Sequence, residues 1–229
     1  MAQEHESRLG NSQTVAGSLS VLIELQHLLY EIARQAEWGA EGSLETVRVR
    51  SEHALKLIDS CLLSAQVELG QTSLPFSPYG VGSIMHEAAY DLQKASRTTV
   101  KVVASAHQPA STNGQMLQSF FYAAGHFIAG TGEKSLVMKS FSGENGNVGV
   151  GVFTENFDVS AAELRRSLSL MERSKMPLAA HSQRSGVFLL LADTFASILG
   201  TPLEIKRLHG LKGIATTLPR SRQLSLIQG

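Results

Sequence analysis

Apolar residues recur at helical spacing in the first third of the chain. With successive residues about 100° apart around a helix axis, residues 15–38 place one apolar face around Leu22 and Leu29 and a second around Leu25 and Ile32. A polar stripe separates the two faces and contains Ser20, Glu24, His27, Glu31 and Arg34. A helix with two apolar faces is expected to contact more than one neighbouring helix.

A second amphipathic helix is predicted over residues 44–69. The segment WGAEGS, with Gly39 and Gly42, interrupts the first helix, and Ser43 is suited to cap the second one. Alternating three- and four-residue spacing, typical of a helix-bundle seam, relates Leu44, Val47, Ser51, Ala54, Ile58, Cys61 and Ala65. Two such helices joined by a short loop predict an antiparallel hairpin. Because two helices cannot cover both faces of the first one, we expect the hairpin to form a four-helix bundle with a second copy.

Beyond Gly70 the pattern changes to an alternation of helices and strands. The segment QTSLPFSPYGVG predicts a linker, and HQPASTNG predicts a loop. Helices are predicted at 82–95, 115–129, 160–172 and 186–199, and strands at 98–105, 134–141, 148–154, 203–208 and 213–218. The last four strands form two adjacent pairs, which implies antiparallel hairpins. The expected fold class is therefore α+β: a helical hairpin followed by a two-layer α/β sandwich with a mixed sheet.

The composition fits this globular interpretation and narrows the classes of function. The chain has 229 residues, of which 43% are hydrophobic, and its 20 basic and 20 acidic side chains cancel. No overall charge therefore indicates a nucleic acid or an anionic membrane as partner. Cys61 is the only cysteine, which excludes an internal disulfide and fits a reducing compartment. Since neither a run of about 18 apolar residues nor an apolar signal-peptide core is found, we expect a cytoplasmic protein. The histidines show no metal-ligand spacing, so no metal site is predicted.

The order of the elements resembles the core of a sensor histidine kinase. In that family a dimerising hairpin carries a phosphoacceptor histidine and precedes an ATP-binding domain of the Bergerat type. The stretch SLETVRVRSEHALKLIDSCLLSAQVELG is similar to the family's second hairpin helix, and LADTFASILGTPLEI and GIATTLP are similar to its closing elements. The resemblance implies a tail at 1–15, the hairpin at 16–70, a linker at 71–81, an ATPase-like domain at 82–220 and a tail at 221–229.

The residues that carry the family's chemistry are replaced in this chain. Where the family has His-Glu-Leu-Arg-Thr-Pro, the chain has Gly17 at the histidine and Leu22 at the proline. Glycine cannot accept a phosphoryl group. In LQSFFYAAGHFIAG, Ala123 and Phe127 stand where asparagines help to hold Mg²⁺. Neither residue offers the oxygen ligand that this ion requires.

The two loops that would contact a nucleotide are also altered. In VGVGVFTENFDVS, Thr154, Asn156 and Asp158 occupy the positions of an adenine-binding aspartate and two glycines. Glycines there allow the backbone to approach the ligand closely. In HSQRSGVFLLL, Gly186 is left of a glycine series that presents backbone N–H groups to phosphates, and Phe188 replaces another member. The resemblance therefore implies a degenerate nucleotide site that binds no ATP or other cofactor.

Three functions are open at this point. The first is a non-catalytic pseudokinase that dimerises through the hairpin and binds a response-regulator receiver domain, or another signalling protein, through the polar stripe of the first helix. The second is an ATP-independent histidine phosphotransferase that relays phosphate between receiver domains through His27. This histidine has Glu24 and Glu31 at helical spacing, although an ordinary exposed histidine explains the same pattern. The third, which the replaced motifs favour least, is a nucleotide-binding enzyme with an unusual site.

Two further features have ordinary explanations. His126, next to Phe127, is expected to be a packing histidine. Lys206, Arg207 and Lys212 make the C-terminal end locally basic, and a solvated surface explains them.

Overall fold

A computed structural model describes residues 26, 29–32, 34, 43–68, 75–96, 98–105, 109–173 and 180–221. The helices within these residues are α1 Ser43–Glu68, α2 Val81–Ser96, α3 Gly114–Gly130, α4 Ala161–Arg173 and α5 Ala180–Leu199. The strands are β1 Ser77–Tyr79, β2 Thr99–Ala104, β3 Ala110–Thr112, β4 Ser135–Ser142, β5 Val148–Thr154, β6 Glu204–Leu208 and β7 Leu211–Leu218. Ser20, Glu24 and His27 of the predicted first helix lie outside the described residues, as does Gly17.

The main sheet has five strands in the order β2-β4-β5-β7-β6. Strand β2 pairs with β4 in parallel, and the other three pairings are antiparallel. The predicted mixed sheet and its two hairpins are therefore confirmed. The β6–β7 hairpin closes through His209 and Gly210, whose φ angles are 50° and 83°. Both residues are in the left-handed region, as a two-residue hairpin turn of type I′ requires.

A second, small sheet lies in segments for which a linker and a loop were predicted. Strand β1 pairs antiparallel with β3, and each has three residues. The backbone N–H of Ser111 donates to the carbonyl oxygen of Pro219, and that of Ser221 donates to Pro109. Both strands were missed because three residues are too few to show an alternating pattern, and the proline, glycine and serine content indicates turns.

Helix α5 begins at Ala180, although the apolar pattern predicted a start at 186. Between these positions the sequence is polar and ends in a glycine, so it shows no apolar face that marks a helix. It contains no proline, however, and a single glycine inside a helix costs only about 1 kcal/mol. The ends of the first predicted helix, at 15–38, lie outside the described residues, and the remaining predicted helices and strands agree with the structure to within two residues at each end.

Helix α1 joins the helix layer of the sheet domain through one side and leaves the opposite side open. Its buried residues are Ala54, Leu57, Ser60 and Leu63, and the helix packs against α2 and α5. Leu57 and Leu63 belong to the same apolar core as the helices above the sheet. The opposite side carries Leu44, Leu55 and Leu62, which are 84%, 59% and 55% exposed.

The main core lies between the sheet and helices α2, α3 and α5. Phe120 and Phe121 of α3 are fully buried. Close packing of α2 against α3 requires a glycine, because a Cβ atom on Gly125 would lie 2.2 Å from Cδ2 of Leu92. Within the part of the chain that the structure describes, none of the helices has both the length and the hydrophobicity that a membrane crossing needs.

Candidate functional site

The first two candidate positions lie on the buried face of α3. The N-cap of this helix is Asn113, whose Oδ1 accepts a hydrogen bond from the Met116 N–H at 3.1 Å. Ala123 and Phe127 are one helical turn apart, and their exposed fractions are 2% and 8%. Neither side chain carries an oxygen, so this face of α3 offers no ligand to a hard cation. Among the described residues, no group of three or more His, Cys, Asp and Glu side chains is placed to hold a metal ion.

Thr154 ends strand β5, and its hydroxyl is hydrogen-bonded to another side chain of the protein. It is 2% exposed, and its hydroxyl donates a 2.7 Å hydrogen bond to Oε2 of Glu133, which lies in the connection between α3 and β4. The hydroxyl oxygen keeps lone pairs that could accept a hydrogen bond, but at 2% exposure it is closed off from a ligand amine. The bond also ties the end of β5 to the end of α3.

The loop that follows β5 is anchored by an aromatic side chain. Asn156 and Asp158 are exposed, but Phe157 between them is 3% exposed. Its ring lies edge-on to that of Phe127, with the centroids 6.3 Å apart and the planes at 79°. Nζ of Lys212, on β7, lies 6.0 Å from the centroid of the Phe157 ring. The two phenylalanines thus close the space between the loop and α3.

A capping box ends this loop. The Ser160 N–H donates to Oε2 of Glu163 at 2.8 Å, and the Glu163 N–H donates to Oγ of Ser160 at 3.1 Å. These reciprocal bonds fix the first turn of α4. The hydrogen bonds from Ser160 lower the pKa of the Glu163 carboxyl from its usual range, since they favour its charged form.

Aromatic packing also occupies the start of the apolar part of α5. Phe188 is 5% exposed, and its ring stacks on that of His126 with centroids 4.8 Å apart and planes at 23°. His126 also meets the edge of the Tyr122 ring at 4.5 Å. Gly186 is buried inside α5, which is already helical from Ala180. Backbone N–H groups inside a helix bond to carbonyl oxygens four residues earlier, so those near Gly186 are not free for a phosphate.

A charged cluster joins α1 to the helix layer beside these rings. Lys56 of α1 forms an ion pair with Asp91 of α2, and Nε2 of Gln118 donates to the same carboxylate at 3.1 Å. Nζ of Lys56 also lies 4.9 Å from the centroid of the Tyr122 ring. Burial, and then the negative charges of Asp91 and Glu52, raise the pKa of the Tyr122 hydroxyl above its usual value. The phenol therefore stays neutral and serves packing.

Of the five predicted partner-binding residues in the polar stripe of the first helix, the structure describes Glu31 and Arg34. Glu31 and Arg34 form an ion pair at 3.4 Å, and Glu31 also pairs with Arg50 of α1. The Glu31 side chain is 17% exposed and that of Arg34 is 43% exposed. The pair between Glu31 and Arg50 places the helical residues 29–32 beside α1. Ser20, Glu24 and His27 lie outside the described residues, so the role of His27 stays a prediction.

The sequence predicted the positions of a degenerate site but not Glu133 and Phe157, which contact Thr154 and Phe127. Ala123, Phe127, Thr154 and the 156–158 loop lie around the end of β5 and α3, and Phe188 lies on the neighbouring helix. Phe157 was not predicted, because Asn156 and Asp158 on either side give this loop a polar pattern. An aromatic residue between two polar residues in a loop was the available signal, since such a side chain is seldom left in solvent.

Comparison with known proteins identifies solved structures with a similar fold. No family model matches the sequence, and no curated protein matches it. The histidine kinase AdeS of Acinetobacter baumannii has a TM-score of 0.53 and 11% identity, with 88% of this chain and 96% of AdeS covered. Full-length ShkA in complex with AMPPNP has a TM-score of 0.56 and 13% identity, with 96% of this chain covered. This chain spans 46% of the ShkA chain.

These likenesses show a fold of the histidine-kinase type. The two likenesses cover 88% and 96% of this chain. The predicted helix layer on a mixed sheet and the resemblance to a sensor histidine kinase core are confirmed, whereas most of the first helix of the predicted hairpin lies outside the described residues.

Proposed function

We propose that the chain is a non-catalytic signalling protein with a histidine-kinase-like fold. It pairs through its helical hairpin and binds a response-regulator receiver domain, or another signalling protein, without binding ATP. The observation that carries the proposal is the contact between Phe127 and Phe157, which fills the region where the replaced nucleotide-site residues meet.

Loss of ATP binding is supported by the energy needed to open this region. A nucleotide in this region would displace the Phe157 ring, and exposing a buried phenylalanine costs about 1.5–3 kcal/mol. An opening cost of this size weakens the apparent affinity by about 10- to 150-fold. The opened site would still lack an oxygen ligand for Mg²⁺ on Ala123 and Phe127. Occlusion and the missing ligands therefore act in the same direction.

The phosphate side of the site supports the same proposal. Around Gly186 the backbone N–H groups belong to the regular helix α5. A phosphate would have to break helical hydrogen bonds to reach them, whereas a glycine-rich loop at a helix N-terminus offers free N–H groups. Asp158, exposed on the neighbouring loop, adds a negative charge that repels an anion.

Pairing through the hairpin is supported by an exposed apolar line on α1. Leu44, Leu55 and Leu62 are separated by eleven and seven residues, which brings them to the same side of a helix. Leu29 and Tyr30 of the preceding helical segment are also large and exposed, at 59% and 67%. Several exposed apolar side chains of this size on one side of a helix are typical of a protein interface. A second copy of the hairpin would cover them in a four-helix arrangement.

Two measurements test the proposal. The first is thermal unfolding with and without Mg-AMPPNP, for which we expect no shift of Tm; specific binding at 100 times Kd would add about 2.7 kcal/mol of stability. The second is sedimentation of the full chain, for which we expect a dimer that Leu62→Glu converts to a monomer. Tyr90→Glu on α2 serves as the control, because Tyr90 is also a large exposed side chain, 68% exposed, but lies on a different helix. Nucleotide-dependent stabilisation, or a wild-type monomer at all concentrations, would contradict the proposal.

The phosphotransferase alternative is decided by a separate experiment. The full chain and its His27→Ala variant are incubated with receiver domains phosphorylated by acetyl phosphate, and acid-labile phosphate on the chain is followed. The proposal expects receiver binding without phosphate transfer. Transfer that disappears in His27→Ala would replace it with a histidine phosphotransferase.

A further inference from the structure

Strand β2 lies at one edge of the five-stranded sheet, and among the described residues it pairs with β4 alone. The Thr99 N–H donates to the carbonyl oxygen of Lys134 at 2.9 Å, next to the start of β4. This bond directs the backbone groups of Thr99, and of every second residue after it, towards β4. The N–H and C=O groups of Val100, Val102 and Ala104 therefore point away from the sheet.

The outward side of β2 is an open row of backbone hydrogen-bonding groups. Nε2 of Gln93, on α2, donates to the carbonyl oxygen of Val100 at 2.8 Å, which agrees with the outward direction of that group. Within the part of the chain that the structure describes, the outward groups of Val102 and Ala104 make no backbone hydrogen bond. Val102 is half-buried and Ala104 is exposed. Groups that recur every second residue, at about 6.6 Å, match the repeat of an extended polypeptide.

Helix α2 borders this edge on the helix side of the sheet. A Cβ atom on Gly82 would lie 3.3 Å from Cβ of Ala104, and Gln93 reaches the other end of β2. His86 follows Gly82 by four residues and Tyr90 precedes Gln93 by three, so both lie near the same side of α2. His86 is exposed, and Tyr90 is 68% exposed. A strand added to β2 would therefore have exposed side chains of α2 beside it.

The other face of the edge is positively charged. The side chains of Val100 and Val102 contact the main core under the helices, so Lys101 between them lies on the opposite face. Lys101 is exposed. Neither β2 nor β4 contains an acidic residue. A carboxylate on an added strand, placed across from Lys101, would therefore meet a cation without a competing carboxylate on these two strands.

We propose that the β2 edge accepts an extended segment of a partner protein as an antiparallel sixth strand, in which acidic and aliphatic residues alternate. The aliphatic residues would lie opposite Val102 and Ala104 and exchange backbone hydrogen bonds with them. The carboxylates would lie across from Lys101. Antiparallel pairing is expected because it is slightly more stable per residue than parallel pairing. This site is separate from the hairpin and from the replaced nucleotide-site residues.

A second copy of the chain is disfavoured at this edge. Antiparallel pairing of two β2 strands about Val102 would place the two Lys101 side chains at diagonal positions on one face, where like charges repel. Lysines on edge strands discourage such self-pairing. The pairing of copies proposed above uses exposed leucines of α1 instead, so mutations can separate the two interfaces.

Backbone methylation tests the added strand. A fluorescein-labelled ten-residue peptide of alternating Glu and Val is titrated with the full chain, and Kd is measured by fluorescence anisotropy. In the antiparallel arrangement the valine N–H groups face β2 and the glutamate N–H groups face solvent. N-methylation of the valine nitrogens should therefore weaken binding by about tenfold or more, whereas N-methylation of the glutamate nitrogens should change Kd by less than about threefold.

A charge swap locates the peptide at Lys101. A Lys/Val peptide of the same length is titrated in parallel, and the wild type should bind the Glu/Val peptide about three- to tenfold more tightly. In Lys101→Glu this preference should reverse. The matched control is Arg207→Glu, with the same change in net charge, because Arg207 is exposed on β6 at the other edge of the sheet. It should change the ratio of the two Kd values by less than about twofold.

The folding and association of both variants are checked by circular dichroism, the urea midpoint and sedimentation. We expect both variants to sediment as the wild type does. Loss of the dimer in Lys101→Glu would instead assign the β2 edge to a second copy. That result, absence of binding by the Glu/Val peptide, any other response to methylation, or an equal change of preference in both variants would each overturn the proposal.

Discussion

Replacing Phe157 by alanine tests whether its ring holds the loop after β5 against α3. The side chain is 3% exposed and meets the edge of the Phe127 ring at 6.3 Å. In Phe157→Ala the ring contact and the contact with the Lys212 ammonium are both lost. The neighbouring Asn156 and Asp158 are exposed and offer no replacement. The loop therefore loses its main attachment to the core.

The size of the effect follows from the buried area. An aromatic side chain buries about 150–250 Å², which at about 25 cal/mol per Å² gives an upper value of about 4–6 kcal/mol. Phe→Ala changes in cores cost about 3–5 kcal/mol. Because an exposed loop can settle onto the smaller residue, we expect the lower end, about 3 kcal/mol. In a double-mutant cycle with Phe127→Ala, the two changes should couple by about 0.5–1.5 kcal/mol.

Urea unfolding followed by circular dichroism measures this loss. With a slope of about 2–3 kcal/mol per M, a loss of about 3 kcal/mol moves the midpoint by about 1–1.5 M. Phe76→Ala is the matched control, because Phe76 is 45% exposed and its removal should change the stability by less than about 0.5 kcal/mol. An unchanged midpoint for Phe157→Ala, or a cycle without coupling, would refute the ring contact and remove the main support for an occluded site.

Three further predictions concern the rest of the chain. Burial raises the pKa of the Cys61 thiol to about 11, so Ellman's reagent at pH 8 should label the folded chain far more slowly than the chain in 8 M urea; equal rates would contradict this. Gly125→Ala should lower the stability by about 1–3 kcal/mol by overpacking against Leu92, whereas Gly80→Ala, with open space around it, should change the urea midpoint little. The lowered pKa of Glu163 means that its charge stabilises the fold above its ordinary value of 4.5 and that this gain is lost as the pH falls further. The difference in urea midpoint between wild type and Glu163→Gln should therefore be present at pH 7 and vanish near pH 3, and a difference independent of pH would refute it.

The periodicity of the sequence predicted the longer helices and strands, because the burial of their side chains sets the order of apolar and polar residues along the chain. Strand β5 is a run of apolar residues and glycines that is buried along its whole length. Helix α3 carries apolar residues on most sides, as expected of a helix inside the core. Strands β1 and β3 were not predicted, because each has three residues and their pairing joins Ser77 to Thr112, far along the chain, a contact that no local pattern encodes.

The candidate site was predicted from a resemblance, which implies that Thr154 and Phe127 stand where the family has polar residues. The contacts that these two residues make were not predicted. The bond between Thr154 and Glu133 joins positions 21 residues apart, and that between the rings of Phe127 and Phe157 joins α3 to a loop beyond two strands. Such long-range contacts depend on how the elements pack, so the sequence alone could not supply them.

Because Leu57 and Leu63 of α1 are buried in the core of the sheet domain, α1 cannot be separated from that domain without loss of packing. Cutting the chain after α1 would expose both leucines to water and break the ion pair between Lys56 and Asp91. Helix α1 is therefore not a transferable unit, and an isolated fragment that ends with it should self-associate through its newly exposed side. The sheet domain therefore has a structural role that does not involve ATP, because it provides the surface against which α1 packs.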